Sequence, residues 1–359
     1  MSARLDTFLR IAADQKASDL HFHAGKVPMV RHHGELSTLP FRVLSAPQVR
    51  AFLDEILTPG QRATLEAEQQ VDFAYDLDEV GRFRASVCEQ SGGLSAVFRV
   101  IPNGLPHLSD LEVPAAVAGF TRHANGLVLI TGPTGSGKTT TLAAMVDLIN
   151  RTSGRHVITV EDPIEFVHPP KQGLVTQREV GLHAQSFASA LRSALREAPD
   201  VLVVGEMRDF ETISLALTAA EAGILVFATL HTGSAAKALD RMMGAAPADQ
   251  QEQVREVLSV LLRGVLSQRL CRLADGQGRA VAAEILLQSV SISHLIRERK
   301  VHQIDAYLRG GEQASQGMVS LEQSLVRLVR EGRVTRAEAL SHANDPESVA
   351  ASLAKGEAA

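Results

Sequence analysis

Eight consecutive residues, from Gly132 to Thr139, have types and a spacing that suit the binding of a phosphate group. They read Gly-Pro-Thr-Gly-Ser-Gly-Lys-Thr and match the pattern G-x-x-x-x-G-K-[ST] at every position. Glycines in such a loop let successive backbone N–H groups turn toward phosphate oxygens, and the N-terminus of a following helix adds a favourable dipole. A Gly-rich turn that binds nothing is the alternative. It is disfavoured because a strand-like run, Leu127 to Thr131, precedes the loop and a helical pattern starts near Lys138.

The loop predicts ATP and Mg²⁺ as ligands and gives its residues separate roles. Lys138 is expected to reach the β- and γ-phosphates, and the hydroxyl of Thr139 is expected to bind Mg²⁺. The predicted nucleotide-binding residues are Thr134, Gly135, Ser136, Gly137, Lys138, Thr139 and Thr140.

Carboxylates follow two other apolar runs of strand length. Glu206 comes after Val201 to Val204, where P-loop ATPases place a residue that positions or activates water, so it is the candidate general base. Glu161 follows His156 to Val160 and could contact the water shell of Mg²⁺. A strand-end glutamate in solvent and a loop of solvated acids are the respective alternatives.

Strand-like runs alternate with helical patterns from Gly126 onward, which predicts a parallel sheet. The first hundred residues have a different pattern, typical of a small α/β unit that begins with an amphipathic helix. The last seventy are mostly helical. The predicted division is a domain at 1–101, a linker at 102–112 rich in turn formers, an α/β core at 113–288 and a helical region at 289–359.

Composition argues against several classes of protein. A net charge of -5 and 4% aromatic content disfavour a nucleic-acid partner, which would need a basic field and stacking side chains. Cys88 and Cys271, the only cysteines, cannot form a four-cysteine zinc site. A histidine metal site is disfavoured because four histidines on short strands fit surface or packing positions: His21, His23, His32 and His33. Since no apolar stretch reaches about 18 residues, direct membrane insertion is not expected. Two cysteines form no disulfide framework, which fits a reducing, cytoplasmic location.

Four segments occurring in order identify a family. They are the phosphate loop, Ile158 to Phe166, Gly205 to Asp209 and Ala228 to Thr232. Together they resemble the secretion and pilus ATPases, and within that superfamily the chain is similar to the twitching-motility retraction ATPases over essentially its whole length. The resemblance implies an N-terminal PAS-like α/β domain, a RecA-like P-loop ATPase domain with a helical C-terminal tail, nucleotide between the two domains, and a ring of six subunits. It also implies peripheral association with the inner membrane through a pilus platform protein, with a paralogous retraction ATPase as a further partner.

The resemblance assigns roles to residues outside the phosphate loop. Glu161 in the Asp box and Glu206 in the Walker B box are implied as catalytic, and His231 in the His box as sensing or positioning the γ-phosphate. Arg84 and Arg99 are candidates for stabilising charge on the γ-phosphate, with Arg82 as a nearby competitor and a solvated surface arginine as the alternative. A motif needed for retraction matches Leu295, Ile296, Arg297 and Glu298, for which an ordinary amphipathic helix is the alternative.

Two positions depart from the family pattern. Ile224 stands where the His box usually has a second histidine, and Ser293 and His294 replace an Arg-Asn pair in the retraction motif. An accessory retraction paralogue therefore remains an alternative. A nucleotide-gated binding module with little hydrolysis is a separate alternative, disfavoured by the intact Lys138, Thr139 and Glu206. A pilus-extension or type II secretion ATPase is a further one, disfavoured because those relatives usually carry extra N-terminal sequence and a four-cysteine zinc element.

Overall fold

The computed structural model describes residues 3–32, 35–101, 104–310 and 317–357. The chain divides into two compact units. The N-terminal unit comprises Met1–Gly104 together with Pro163–Val167, and the C-terminal unit comprises Leu105–Asp162 together with His168–Ala359. Both contain sheets and helices, so the predicted α/β class is confirmed. Pro102 and Asn103 of the predicted linker, and His33 of the histidine group, lie outside the described residues.

In the N-terminal unit, the strands form an antiparallel sheet in the order β3-β2-β1-β6-β5-β4. One face of this sheet packs on helices, and the apolar face predicted for the first helix is buried there: Leu5 and Leu9 have no exposed surface. The elements are α1 (Asp6–Asp14), β1 (Asp19–His23), β2 (Met29–His32), β3 (Glu35–Thr38), α2 (Ala46–Asp54), α3 (Pro59–Glu68), β4 (Gln70–Leu77), β5 (Gly81–Gln90) and β6 (Gly93–Val100).

In the C-terminal unit, the strands form a sheet in the order β13-β12-β7-β11-β10-β8-β9, parallel except for β13. The strands are β7 (Gly126–Thr131), β8 (His156–Glu161), β9 (Leu174–Glu179), β10 (Val201–Val204), β11 (Leu225–Leu230), β12 (Leu262–Arg272) and β13 (Arg279–Leu287). The helices are α4 (Ala116–Phe120), α5 (Lys138–Thr152), α6 (Phe187–Ala194), α7 (Phe210–Glu221), α8 (Ala235–Ala245), α9 (Gln251–Leu261), α10 (Val290–Arg297), α11 (Ile304–Leu308), α12 (Leu321–Arg330), α13 (Arg336–His342) and α14 (Pro346–Glu357).

Burial on both faces explains why the central strands are continuous apolar runs. Every residue of β7, β10 and β11 is buried, and two hydrophobic clusters cover the two sides of the sheet. Each fully buried Val, Leu or Ile contributes about 1.5–3 kcal/mol of transfer free energy. This burial fixes the position of each strand in the sheet and therefore the points at which the following loops begin. None of the helices among the described residues is both long and apolar enough to cross a membrane.

Glu284 on β13 is an unusual group in this core, since 3% of its surface is exposed. The pKa of Glu284 is raised from 4.5 to about 7, mainly by burial and to a smaller extent by the carboxylates of Asp305 and Glu322. Backbone N–H groups of Ala235 and Leu321 donate hydrogen bonds to the carboxylate and oppose this rise in pKa.

Glu284 should make the stability of the protein depend on pH. Because its pKa is raised from 4.5 to about 7, the folded protein keeps a proton that the unfolded chain releases. The free energy of unfolding therefore falls as pH increases through that range, by about 3 kcal/mol from this group. We expect Glu284→Gln, which cannot titrate, to lack this part of the fall when urea unfolding is followed at pH 4.5 and pH 7. Parallel pH profiles for the variant and the wild type would contradict it.

Candidate active site

Four of the parallel strands end at one edge of the C-terminal sheet and bring the predicted site residues to it. The phosphate loop follows β7, and Glu161 is the last residue of β8. Glu206 follows β10 by two residues, and His231 comes directly after β11. Since β7, β11, β10 and β8 are adjacent and parallel, these residues lie side by side at the carboxyl edge.

The phosphate loop has a backbone shape that requires glycine at its two ends. Gly132 and Gly137 have φ angles of 145° and 86°, in a region that other residues rarely adopt. A Cβ atom on Gly132 would lie 2.3 Å from the carbonyl oxygen of Gln268 and 2.5 Å from Oγ of Ser136. Helix α5 starts at Lys138 with the N–H groups of its first turn facing the loop, as an anion site requires.

Lys138 lies inside this loop, with 8% of its surface exposed. Its Nζ donates to the carbonyl oxygens of Gly132 at 2.9 Å and Pro133 at 3.0 Å. Burial lowers the pKa of Lys138, whereas the carboxylate of Glu206 raises it, and the net pKa is below the ordinary value. The ammonium is thus held inside the loop by two carbonyl oxygens, and a bound phosphate would take their place as its hydrogen-bond acceptor.

Glu206 is flanked by a guanidinium and an imidazole. Its Oε2 lies 2.7 Å from a guanidinium nitrogen of Arg208, and its Oε1 lies 3.3 Å from Nε2 of His231. Burial raises the pKa of Glu206, but Arg208, His231 and Lys138 outweigh that effect and the pKa is lowered. The carboxylate is therefore ionised at neutral pH, as a proton acceptor must be.

Glu161 is held in a fixed orientation at the end of β8. Its Oε1 accepts hydrogen bonds from Oγ1 of Thr159 at 2.7 Å and from Nε2 of Gln177 at 3.1 Å. Carboxylate and hydroxyl oxygens are the ligands that Mg²⁺ prefers, and Glu161, Glu206 and Thr139 supply such oxygens at this edge. The buried hydroxyl of Ser136 has no hydrogen-bond partner within the described residues, as expected of a group that awaits a phosphate or water.

Comparisons with known proteins agree with this arrangement. The family model described as Type II/IV secretion system protein matches residues 69–355. The chain belongs to this family. The resemblance drawn from the sequence is therefore confirmed, and the predicted enzyme class, a P-loop ATPase, agrees with the membership.

Several relatives in the Type II/IV secretion system protein family cover nearly the whole chain. The type IV pilus retractation ATPase PilT of Pseudomonas aeruginosa is 46% identical over 340 residues, covering 95% of this chain and 98% of that protein. The twitching motility protein of Neisseria gonorrhoeae is 46% identical over 90% of this chain and 86% of its own length. The type IV pilus ATPase PilU of Pseudomonas aeruginosa is 36% identical over 94% and 88%. A crystal structure of the pilus retraction motor PilT with bound ADP superposes with a TM-score of 0.88, at 42% identity, over 98% of this chain and 100% of that one.

Gln268 on β12 is a site residue that the sequence did not reveal. It has 1% of its surface exposed, and its Nε2 donates to the carbonyl oxygen of Ser136 at 2.6 Å. This bond ties the phosphate loop of this secretion-family chain to the strand beside β7. Little in the sequence pointed to it, since Gln268 lies in a strand that also carries Ser267 and three arginines.

Removing the Gln268 side chain should weaken nucleotide binding. A buried hydrogen-bond partner left unsatisfied costs about 1–3 kcal/mol, which corresponds to about a tenfold rise in the dissociation constant for ADP in Gln268→Ala. The exposed Gln277, on the turn after β12, provides the matched control Gln277→Ala. Equal ADP affinities of the two variants in a titration would show that the Gln268 bond does not support the loop.

Arg84 and Arg99 lie in the N-terminal unit, on neighbouring strands and directly opposite each other. Arg99 is paired with buried Asp19 at 3.0 Å, and Arg84 lies 3.8 Å from Glu165. Their competitor Arg82 donates to the carbonyl oxygen of Ile164 at 2.7 Å. Two like charges opposite each other in a sheet are unfavourable, so the Arg84 and Arg99 pair needs nearby anions.

The four residues that match the retraction motif occupy the second half of α10 and the position after it. Ile296 is buried and Leu295 packs against the main hydrophobic cluster, whereas Arg297 and Glu298 are exposed. Ile224, at the departure in the His box, is 8% exposed and packs in the same cluster. An imidazole would not fit that apolar environment without a polar partner.

Proposed function

We propose that this chain is an ATP-hydrolysing motor subunit that drives the retraction of a type IV pilus. One observation carries the proposal: Lys138, Glu206 and His231 meet at one sheet edge in a chain that matches PilT of Pseudomonas aeruginosa over 95% of its length. ATP would be bound by the phosphate loop, and Mg²⁺ by Thr139 with the carboxylate edge.

The residues divide the chemistry between them. The backbone N–H groups of the loop and the ammonium of Lys138 hold the β- and γ-phosphates and neutralise charge that grows during the reaction. Glu206, kept ionised by its cationic neighbours, accepts a proton from the attacking water. Arg208 and His231 orient the two oxygens of Glu206, and Glu161 orients the water shell of the metal. Bound Mg²⁺ supplies further positive charge to the phosphates.

Arg84 and Arg99 would complete the site by offering positive charge to the γ-phosphate. Their direct juxtaposition across β5 and β6 supports this role, since an anion relieves the repulsion between them. The carboxylates that pair with them now would be exchanged for phosphate oxygens.

Force would come from a homo-hexamer whose domains rotate with each change of nucleotide. ATP, ADP and the empty site can drive such a rotation only by binding different domain arrangements with different affinities. The hexamer would act on a platform protein of the inner membrane, and the exposed Arg297 and Glu298 of α10 would serve in this coupling.

An accessory role beside a second retraction ATPase is the other candidate function. Ser293 and His294 in the retraction motif favour it, as does the similarity to PilU of Pseudomonas aeruginosa. The nucleotide-gated module with little hydrolysis is disfavoured by the complete set of Lys138, Thr139 and Glu206.

Deletion of the gene tests the direction of force. Retraction predicts cells with too many surface pili and lost twitching motility, whereas cells without pili would indicate an extension motor. An accessory role predicts normal pili until the second retraction ATPase is also removed. Pili are counted by electron microscopy of the deletion strain, with the complemented strain as the control.

A further inference from the structure

The turn that carries His231 is held by groups that belong to none of the sequence motifs. This His231 turn, residues 231–234, links the end of β11 to the start of α8. Its imidazole reaches Glu206 at 3.3 Å, a contact that a small movement of the turn would break. The position of the turn therefore decides whether His231 can act on Glu206.

Glu284, on β13, holds the end of the His231 turn through a hydrogen bond. Its Oε1 accepts a hydrogen bond at 2.6 Å from the backbone N–H of Ala235, the first residue of α8. The same carboxylate accepts from the backbone N–H of Leu321, the first residue of α12. One buried carboxylate thus joins the N-termini of two helices, where negative charge is favoured.

The middle of the turn is held by a residue of β12 and by a residue of the loop between α13 and α14. The carbonyl oxygen of Gly233 accepts from Nδ2 of Asn344 at 3.2 Å and from a guanidinium nitrogen of Arg269 at 3.4 Å. Arg269 also donates to Oδ1 of Asn344 at 2.6 Å. A Cβ atom on Gly233 would lie 3.0 Å from that guanidinium, so glycine permits this approach.

We propose that Glu284 and Asn344 are positioning residues for His231, which hold its turn against β13, α12 and the loop between α13 and α14. Through them the C-terminal helices set the distance between the imidazole and Glu206. The inference rests on the proposed ATPase function, because the effect of a displaced His231 is measured there as a slower reaction.

A cycle of variants separates positioning from a general structural effect. Hydrolysis is assayed well above the pKa of Glu284, about 7, so that this group is a carboxylate. Glutamine at position 284 has one acceptor oxygen and one amide donor, so it satisfies the N–H groups of Ala235 and Leu321 less well than that carboxylate. We expect Glu284→Gln and Asn344→Ala each to lower kcat for ATP hydrolysis about tenfold, with KM for ATP changed by less than about threefold. In a His231→Ala background the same substitutions should change kcat by less than about twofold.

Matched controls are available in the same part of the chain. Glu347→Gln removes an exposed carboxylate and Gln303→Ala an exposed amide, and neither should alter kcat. Asn344 is also exposed, so Asn344→Ala keeps the test intact if Glu284→Gln does not fold. Equal losses of kcat with and without His231, or no loss in the wild-type background, would overturn the proposal.

Hydrogen exchange gives a second readout that needs no catalysis. We expect faster amide exchange in peptides that cover residues 231–236 in both variants, and in those that cover residues 318–322 in Glu284→Gln. Unchanged exchange at residues 231–236 in both variants would overturn the proposal. If wild type and variants alike failed to hydrolyse ATP, the proposed function would fail, and exchange would still decide whether Glu284 and Asn344 hold the turn.

Discussion

Lys138→Ala should abolish both nucleotide binding and phosphate release by the purified protein. The ammonium lies within the phosphate loop and donates hydrogen bonds to two carbonyl oxygens. Among the described residues, the loop contains no other lysine. Removing a positive charge that stabilises the transition state costs about 10²–10³ in kcat. The loss of phosphate affinity also raises KM, so kcat/KM falls by more than kcat does. Phosphate release is measured by a coupled assay, and ADP affinity by titration.

The exposed Lys300 provides the control for Lys138. Lys300→Ala removes an ammonium outside the phosphate loop and should leave turnover as in the wild type. Equal turnover by Lys138→Ala and the wild type would mean that the phosphate site lies elsewhere.

Glu206→Gln should bind nucleotide and fail to hydrolyse it. The amide keeps the size of the side chain and one acceptor oxygen, so the neighbours Arg208 and His231 can stay in place. It cannot accept the proton from water, and loss of a general base costs about 10²–10⁴ in kcat. We expect ADP affinity within about threefold of the wild type and phosphate release lowered by at least about 100-fold.

Glu221→Gln is the matched control, since Glu221 is an exposed carboxylate at the end of α7. Its turnover should equal that of the wild type. If Glu206→Gln hydrolysed ATP as fast as this control, Glu206 would not be the base and another carboxylate at the edge, Glu161, would be the next candidate.

The residues at the site edge were predictable because each follows an apolar run of strand length. The carboxyl ends of adjacent parallel strands meet at one edge, so Glu161 and Glu206 could be placed together from the strand pattern, whereas His231 was identified through the family resemblance. Their detailed partners could not. The pairing of Glu206 with Arg208 and of Glu161 with Gln177 depends on side-chain directions that no spacing encodes.

Two helices of the N-terminal unit were missed although their start signals are in the sequence. Thr58 and Gln61 form a capping box around Pro59, and Ser45 and Gln48 form another. Such boxes mark helix starts. The apolar faces of these helices are narrow, with Val49 and Leu53 buried in α2 and Leu65 alone in α3, so periodicity did not reveal them.

The hairpin of β12 and β13 and the edge strand β9 were also missed, for different reasons. β12 continues directly from α9 without Gly or Pro at the junction, so no break marks the change from helix to strand. β9 is mostly half-buried and its composition is polar. The grouping of Pro163–Val167 with the N-terminal unit rests on contacts such as Arg82 with Ile164, which are distant in sequence.

Complementation of a deletion strain tests most directly whether ATP hydrolysis at this edge withdraws pili. The gene is restored either as wild type or as Glu206→Gln, at equal protein levels, and surface pili and twitching are measured. The proposed function predicts that the wild-type gene returns pili to normal numbers and restores motility, and that the Glu206→Gln gene leaves cells overpiliated and non-motile. Restoration of both by the Glu206→Gln gene would contradict a motor powered by this site.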